Sequence, residues 1–113
     1  MFTQRIKSPY IALRKLGLSK LAIGCYANLF EEGAASIPRL AVRLETSQSS
    51  LYRVLKDLEA KGFLTSVNSS DYLRCFYAEP INKALRAYAD YQHRAVHDLV
   101  KRHKEILIKR SGR

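Results

Sequence analysis

Apolar residues recur along this chain at two spacings, and the changes from one to the other divide it into helices and strands. Ser8 is placed to cap a helix and Pro9 suits a first turn; Tyr10, Leu13 and Leu16 then fall on one side until Gly17 stops the run. Ser19 starts a second helix, in which Leu21, Ala22, Cys25, Tyr26, Leu29 and Phe30 recur at three- and four-residue spacing before Glu31-Glu32-Gly33 closes it. This predicts a core helix with one solvent side. Ser36 caps a third helix, with Pro38 in its first turn and Leu40, Ala41 and Leu44 as its stripe, and Glu45-Thr46-Ser47 interrupts the pattern. Ser47 caps a fourth, whose Leu51, Leu55 and Leu58 point inward and which ends at Lys61-Gly62. The spacing then changes. Residues 63–67 and 72–77 are rich in aromatic and branched side chains and flank polar Asn68-Ser69-Ser70-Asp71, which predicts a hairpin. After Pro80, residues 81 to about 110 contain neither Gly nor Pro, giving a helix of roughly 45 Å at 1.5 Å per residue.

A short capped helix, a tight polar turn, a longer helix and a hairpin, in that order, are the parts of a winged helix-turn-helix, a device for laying one helix into a DNA groove. The fold class expected is mainly α with a small β-hairpin, a winged helix-turn-helix with a long C-terminal dimerisation helix. Residues 1–80 are expected to form the DNA-binding part and 81–113 the dimerisation helix, within one compact unit. With Leu51 set inward and about 100° turned per residue, the outward arc of the fourth helix holds Ser49, Ser50, Arg53, Lys56 and Asp57, with Tyr52 on the flank of the leucine stripe. Gln48, Ser49 and Ser50 are hydrogen-bonding groups at a helix N-terminus that already favours phosphate; Arg53 suits guanine and Lys56 the backbone. Ser36 and Ser47 at the two caps complete the expected contact set on these helices. A solvated basic face is the plainer reading of such residues, and the preceding helix and turn argue against it. The hairpin adds Asn68, Ser70 and Arg74; its tip has no cation of its own, so it is expected either to engage DNA weakly or to act as a structural cap.

Charge supports a polyanionic partner: 20 Lys and Arg against 10 Asp and Glu give a formal net charge of +10. Double-stranded DNA is the expected partner, with an anionic membrane surface as the rival. No apolar run approaches the roughly 20 residues that span a bilayer, and the first ten residues lack the apolar core of a secretory signal, so a cytoplasmic location is expected. Cys25 and Cys75 show no metal-binding spacing and read as buried reduced thiols. His93 and His97 form an i, i+4 pair on the last helix, with His103 further along; without a third ligand or a catalytic glutamate they read as surface or seam residues. There is no nucleophile elbow and no Gly-rich phosphate loop. The expectation is therefore no enzyme, no cofactor and no metal.

The motifs resemble a known family. Leu16-Gly17-Leu18-Ser19, Tyr26 and Leu29, Gly33, the helix over 37–44 and the run from Ser50 to Leu64 are similar to the TrmB-type winged helix-turn-helix regulators, relatives of the MarR group, over about residues 16–80. The most specific element is Tyr-x-x-Leu-x-x-Leu-x-x-x-Gly at Tyr52, Leu55, Leu58 and Gly62. The resemblance implies a sequence-specific transcriptional regulator with residues 47–61 as its recognition helix. Sugar sensing belongs to longer members with an effector domain and is not implied; any small-molecule effector is unknown.

The last helix supplies the assembly argument. Leu85, Tyr88, Ala89, Gln92, Ala95, Val96, Leu99, His103, Ile106 and Leu107 make a stripe at three- and four-residue spacing that one small domain cannot cover. A homodimer through this helix is expected, with residues 9–16 available to pack against it, so that two recognition helices meet half-sites of an inverted repeat about one DNA turn apart. The basic tail from Lys101 onward suits either nonspecific DNA affinity or a solvated terminus. Occupation of promoter DNA, hence repression, is the default expectation. A partition, replication or nucleoid-type DNA-binding protein and a winged-helix protein-interaction module are the alternatives.

Overall fold

Three serines start helices as their positions suggest. Ser19 Oγ accepts from the Ala22 amide at 3.1 Å, Ser36 Oγ from Arg39 at 3.4 Å and Ser47 Oγ from Ser50 at 3.2 Å, each cap residue being extended. The computed structural model describes residues 8–68 and 74–111. Helix α1 (Ser8–Ile11) tightens into a 3-10 turn (Ala12–Leu16); α2 spans Lys20–Glu32, α3 Ile37–Leu44 and α4 Gln48–Lys61. Strands β1 (Ala35–Ser36), β2 (Leu64–Asn68) and β3 (Arg74–Ala78) precede the long α5 (Ile81–Ser111). Among the described residues, no helix is long and apolar enough to cross a membrane.

The sheet is larger than the expected hairpin. β3 lies between β2 and β1, antiparallel to both, with Val67 opposite Cys75, Ser66 opposite Phe76 and Ala35 also opposite Phe76. Two residues are too few to show a period-two pattern, so β1 is invisible as a strand in the sequence; it forms because Ala35 and Ser36 lie beside the edge of β3 just before the α3 cap. Phe76 faces the core, and Cys75 on the opposite side is half-buried rather than buried.

The core is wrapped around α2. Residues 22–29 are all buried, so this helix lacks the solvent side its periodicity suggests, because α3, α4, β3 and the N-terminal turn all pack on it. Phe30, expected in its inward stripe, is 51% exposed and stacks on Tyr26 with ring centroids 6.1 Å apart. Burial pushes the Cys25 thiol up to about 12, leaving it a small apolar side chain at neutral pH. Tyr26 is fully covered and donates its hydroxyl to the Glu79 carbonyl at 2.5 Å, tying α2 to the end of the sheet.

Two closures set the angles that matter for a site. α3 ends with Glu45 in the left-handed region (φ 53) while Thr46 N donates to Ala41 O, producing the abrupt turn into α4. α4 ends with Gly62 (φ 94), where a Cβ would lie 2.4 Å from that of Ala87, so glycine is required both for the turn and for the approach of α5. Here Ala84 and Tyr88 are buried, and the Tyr88 hydroxyl donates to Leu16 O at 2.9 Å. Beyond Tyr91 the surroundings change: residues 92–108 are exposed all round the helix. The projecting helix raises the radius of gyration to 17.5 Å, against about 13 Å for a compact chain of this length.

Candidate nucleic-acid interface

Leu51, Leu55 and Leu58 are fully buried, as are Leu40 and, within a percent, Leu44 on α3, so the rotation of α4 about its axis is fixed. That rotation turns Gln48, Ser49, Ser50, Tyr52, Arg53 and Asp57 to solvent. At the N-terminus three hydroxyls gather: Ser47 Oγ donates to Ser50 Oγ at 2.8 Å and lies 3.3 Å from Ser49 Oγ. The positive end of the helix dipole and the first-turn amides are there as well, an arrangement suited to an anionic oxygen.

The cations divide by what they touch. Arg53 is exposed and has no ion pair among the described residues. Lys56, expected to point fully outward, is half-buried and lies 3.7 Å from Glu59, which in turn accepts from the Ser66 hydroxyl. Asp57 is held at 2.9 Å by Lys61, and that bond raises the Lys61 pKa despite partial burial. Arg43 is structural, bridging Asn28 Oδ1 at 3.2 Å and Gly33 O at 2.9 Å.

Arg74, at the start of β3, comes to the same place as the α4 N-terminus. An open groove is lined by Ser36, Ile37 and Pro38 from the start of α3, by Gln48, Ser49 and Tyr52 from α4, and by Arg74. A second depression on the other flank of α4 is lined by Ser49, Ser50, Arg53 and Val54. From the sequence, Ile37 and Pro38 are no more than helix-starting residues; their place beside α4 follows from the packing of α3 on α4. Ser36 is buried, its hydroxyl caps α3, and it lines the groove. Asn68 is exposed at the end of β2, and Ser70 lies outside the described residues.

On α5 the expected seam separates into two faces. Tyr88 is buried within its own chain against Phe63 (centroids 5.4 Å apart), with Lys61 Nζ 5.9 Å from its ring centre. Gln92 donates to the Tyr88 hydroxyl at 3.1 Å yet remains exposed. Leu85, Ala95, Val96, Leu99, His103 and Ile106 are exposed, as are His93 and His97. Among the described residues, no three His, Cys, Asp or Glu side chains gather as metal ligands would.

Residues 13–82 match the family described as sugar-specific transcriptional regulator TrmB. No curated protein matches the sequence. Among solved structures, TrmBL2, an archaeal chromatin protein with a novel mode of DNA binding, superposes with a TM-score of 0.63 at 24% identity over 88% of this chain; the chain spans only 39% of that protein's length. The transcriptional regulator Tm0710 from Thermotoga maritima gives a TM-score of 0.58 at 19% identity, covering 88% of this chain and 82% of its own. Reduced AbfR bound to DNA gives 0.56 at 17% identity, covering 88% and 81%. These likenesses establish the winged-helix fold, and the family match, running from the N-terminal turn through the sheet to the start of α5, covers more than half of the sequence. The chain belongs to the TrmB family of DNA-binding transcriptional regulators.

Proposed function

We propose that the chain acts as a homodimeric, sequence-specific binder of double-stranded DNA that represses by occupying promoter sites. The observation that carries this reading is the division of α4: its leucines are fully buried, while Arg53 stands in solvent and Gln48 and Ser49 stand in solvent beside Arg74. A helix so held can enter a major groove without unfolding anything, with Arg53 set to take the O6 and N7 of guanine and the serine hydroxyls set to meet phosphate. Residues 1–80 supply the reading head and 81–113 the dimer contact. Support for the dimer comes from the exposed apolar stripe of Leu85, Val96, Leu99 and Ile106, since a largely charged helix exposed on all sides gains little stability in water on its own. Two-fold pairing through α5 makes an inverted repeat the preferred target, with half-site centres separated by one or more DNA turns.

The test is selection of bound fragments from genomic DNA, followed by footprinting, with sedimentation equilibrium of the same protein at micromolar concentration. Expected are a small set of discrete footprints with two-fold symmetry and a dimer. A monomer alone, or no retardation of any fragment at low salt, would refute the reading. A second reading is an architectural one, favoured by the likeness to TrmBL2, which is described as a chromatin protein. It would show as protection that spreads cooperatively along DNA from any starting point.

A further inference from the structure

The outward face of α4 is polar and basic, yet an apolar notch lies along its flank. Ile37 and Pro38 at the start of α3 and the ring of Tyr52 line it together with Ser36, Gln48, Ser49 and Arg74. Tyr52 is 58% exposed and Pro38 is exposed beside it. Apolar surface left in water at this point gains free energy only when something apolar covers it. The other contents of the face narrow what that can be. Arg53 and Arg74 and the positive end of α4 attract a polyanion, so the occupant is an apolar group carried on a polyanion. Among unmodified bases, thymine alone offers one on its major-groove edge, the C5-methyl. Tyr52 stands four residues beyond Gln48, one helical turn along the same side, so an amide or hydroxyl contact to one base pair and an apolar contact to its neighbour fall within one reach.

The geometry points to the notch of Ile37, Pro38 and Tyr52 as a thymine-methyl site, an assignment that rests on α4 being the recognition helix. A thymine at one fixed position of each half-site packs its methyl against the Tyr52 ring and Pro38. Gln48 or Ser49 bonds the polar edge of the adjacent base, and Arg74 takes a flanking phosphate. Specificity at that position is then set by shape and apolar contact, separate from any guanine read by Arg53. A 5-methylcytosine carries its methyl at the same place and fits the same notch.

The experiment uses the full chain and a duplex recovered by selection from genomic fragments. Each thymine in turn is replaced by deoxyuridine, which removes the methyl and leaves every hydrogen-bonding group. Expected is a loss of roughly fourfold in affinity at one thymine per half-site, the size of one buried methyl, and no change elsewhere. Tyr52→Ala should fold as the parent does, judged by circular dichroism, and should bind thymine and uracil duplexes equally. Tyr52→Phe keeps the ring and should keep the discrimination. No sensitive thymine in an enriched site, or the same thymine-to-uracil ratio in Tyr52→Ala, overturns the assignment while leaving the DNA reading intact. If the notch seats sugar-phosphate instead, Tyr52→Ala lowers affinity for all duplexes without a uracil effect; if it seats a second copy of the chain, Tyr52→Ala changes sedimentation of the DNA-free protein. Either result also overturns it. Failure to enrich any site removes the assignment together with the reading beneath it.

Discussion

Both α4 and the part of α5 beyond Tyr91 carry apolar residues at three- and four-residue spacing, but the chain itself covers only the first set. Leu51, Leu55 and Leu58 are 0% exposed, whereas Leu99 is 64% and Val96 58% exposed. One helix therefore has a polar side left over; the other, anchored at its base by Ala84 and Tyr88, has an apolar side left over along its distal part. The surplus on each helix indicates the kind of partner it suits, an anionic duplex for the first and an apolar surface for the second.

The largest expected effect lies on the covered side. Leu55→Ala opens a cavity in a site closed by α2 and α3, and should cost about 3–5 kcal/mol of unfolding free energy at any protein concentration. If α5 pairs as proposed, Leu99→Asp should leave the folding of the single chain almost unchanged while weakening the dimer by roughly a hundredfold, since two-fold pairing would remove a buried leucine side chain from each copy at once. Chemical denaturation across a range of protein concentrations separates the two. If Leu99→Asp lowers stability independently of concentration, the second helix is covered after all and the contrast disappears.

Next is the joint between the two helices. Gly62→Ala places a Cβ in a left-handed residue and 2.4 Å from that of Ala87, and about 2–4 kcal/mol should be lost. Adding Ala87→Gly should restore the packing part of that loss but not the backbone part. Full restoration, measured by thermal melts, would show that the conformation of Gly62 carries no strain for alanine.

What the sequence reveals of this arrangement follows from how local each cause is. Ser19, Ser36 and Ser47 mark helix starts because a cap hydrogen bond involves residues three apart, and Gly17 and Gly62 mark ends for a similar reason. The outward arc of α4 is legible because three leucines fix one rotation. β1 is not, since its two residues become a strand only through β3. Nor is the second face of α5, where Ala84, Ala87, Tyr88 and Tyr91 lie roughly 100° around the helix from Leu85, Gln92, Val96 and Leu99. The small alanines are inconspicuous in a hydrophobic pattern, and Tyr88 borders both faces. Its burial depends on the Leu16 carbonyl and Phe63 beside it, both remote in sequence. The groove with Arg74 is hidden for the same reason, being assembled from four separate elements, β1, α3, α4 and β3.

A smaller effect distinguishes the two cations on α4. Arg53→Ala should reduce discrimination between the selected site and random DNA by about 1–3 kcal/mol. Lys56→Ala should weaken all sequences alike and lower the log-log salt slope by about 0.9 for each phosphate the lysine neutralises, less to the extent that Glu59 already holds the ammonium. Salt titrations with both duplexes decide it; equal losses on specific and random DNA in Arg53→Ala would remove that side chain from the reading role.

The smallest effect is at Glu79, where the body meets the base of α5. Its carboxylate accepts from the Thr65 hydroxyl on β2 and pairs with Lys83 on α5 at 3.3 Å, while its backbone amide donates to Phe63 O. The Thr65 hydrogen bond, assisted by Lys83, holds this carboxyl below its ordinary value of 4.5 even though burial opposes the shift. A lowered folded-state pKa means that the ionised form is favoured by folding. The contribution is thus fully present above the unfolded carboxylate pKa and is lost as the pH falls through the folded one. Glu79→Gln should therefore be less stable than the parent at pH 7, with the difference shrinking once the pH drops below about 4.5 as the parent carboxyl takes up its proton. Lys83 is 70% exposed, so salt should reduce its part of the difference, and the Thr65 part should persist at high ionic strength. Urea denaturation of both proteins between pH 3 and 7, at low and high salt, measures this. A difference that stays constant across the range would mean that the Glu79 side chain acts through packing alone, and that the tie between β2 and the base of α5 is not electrostatic.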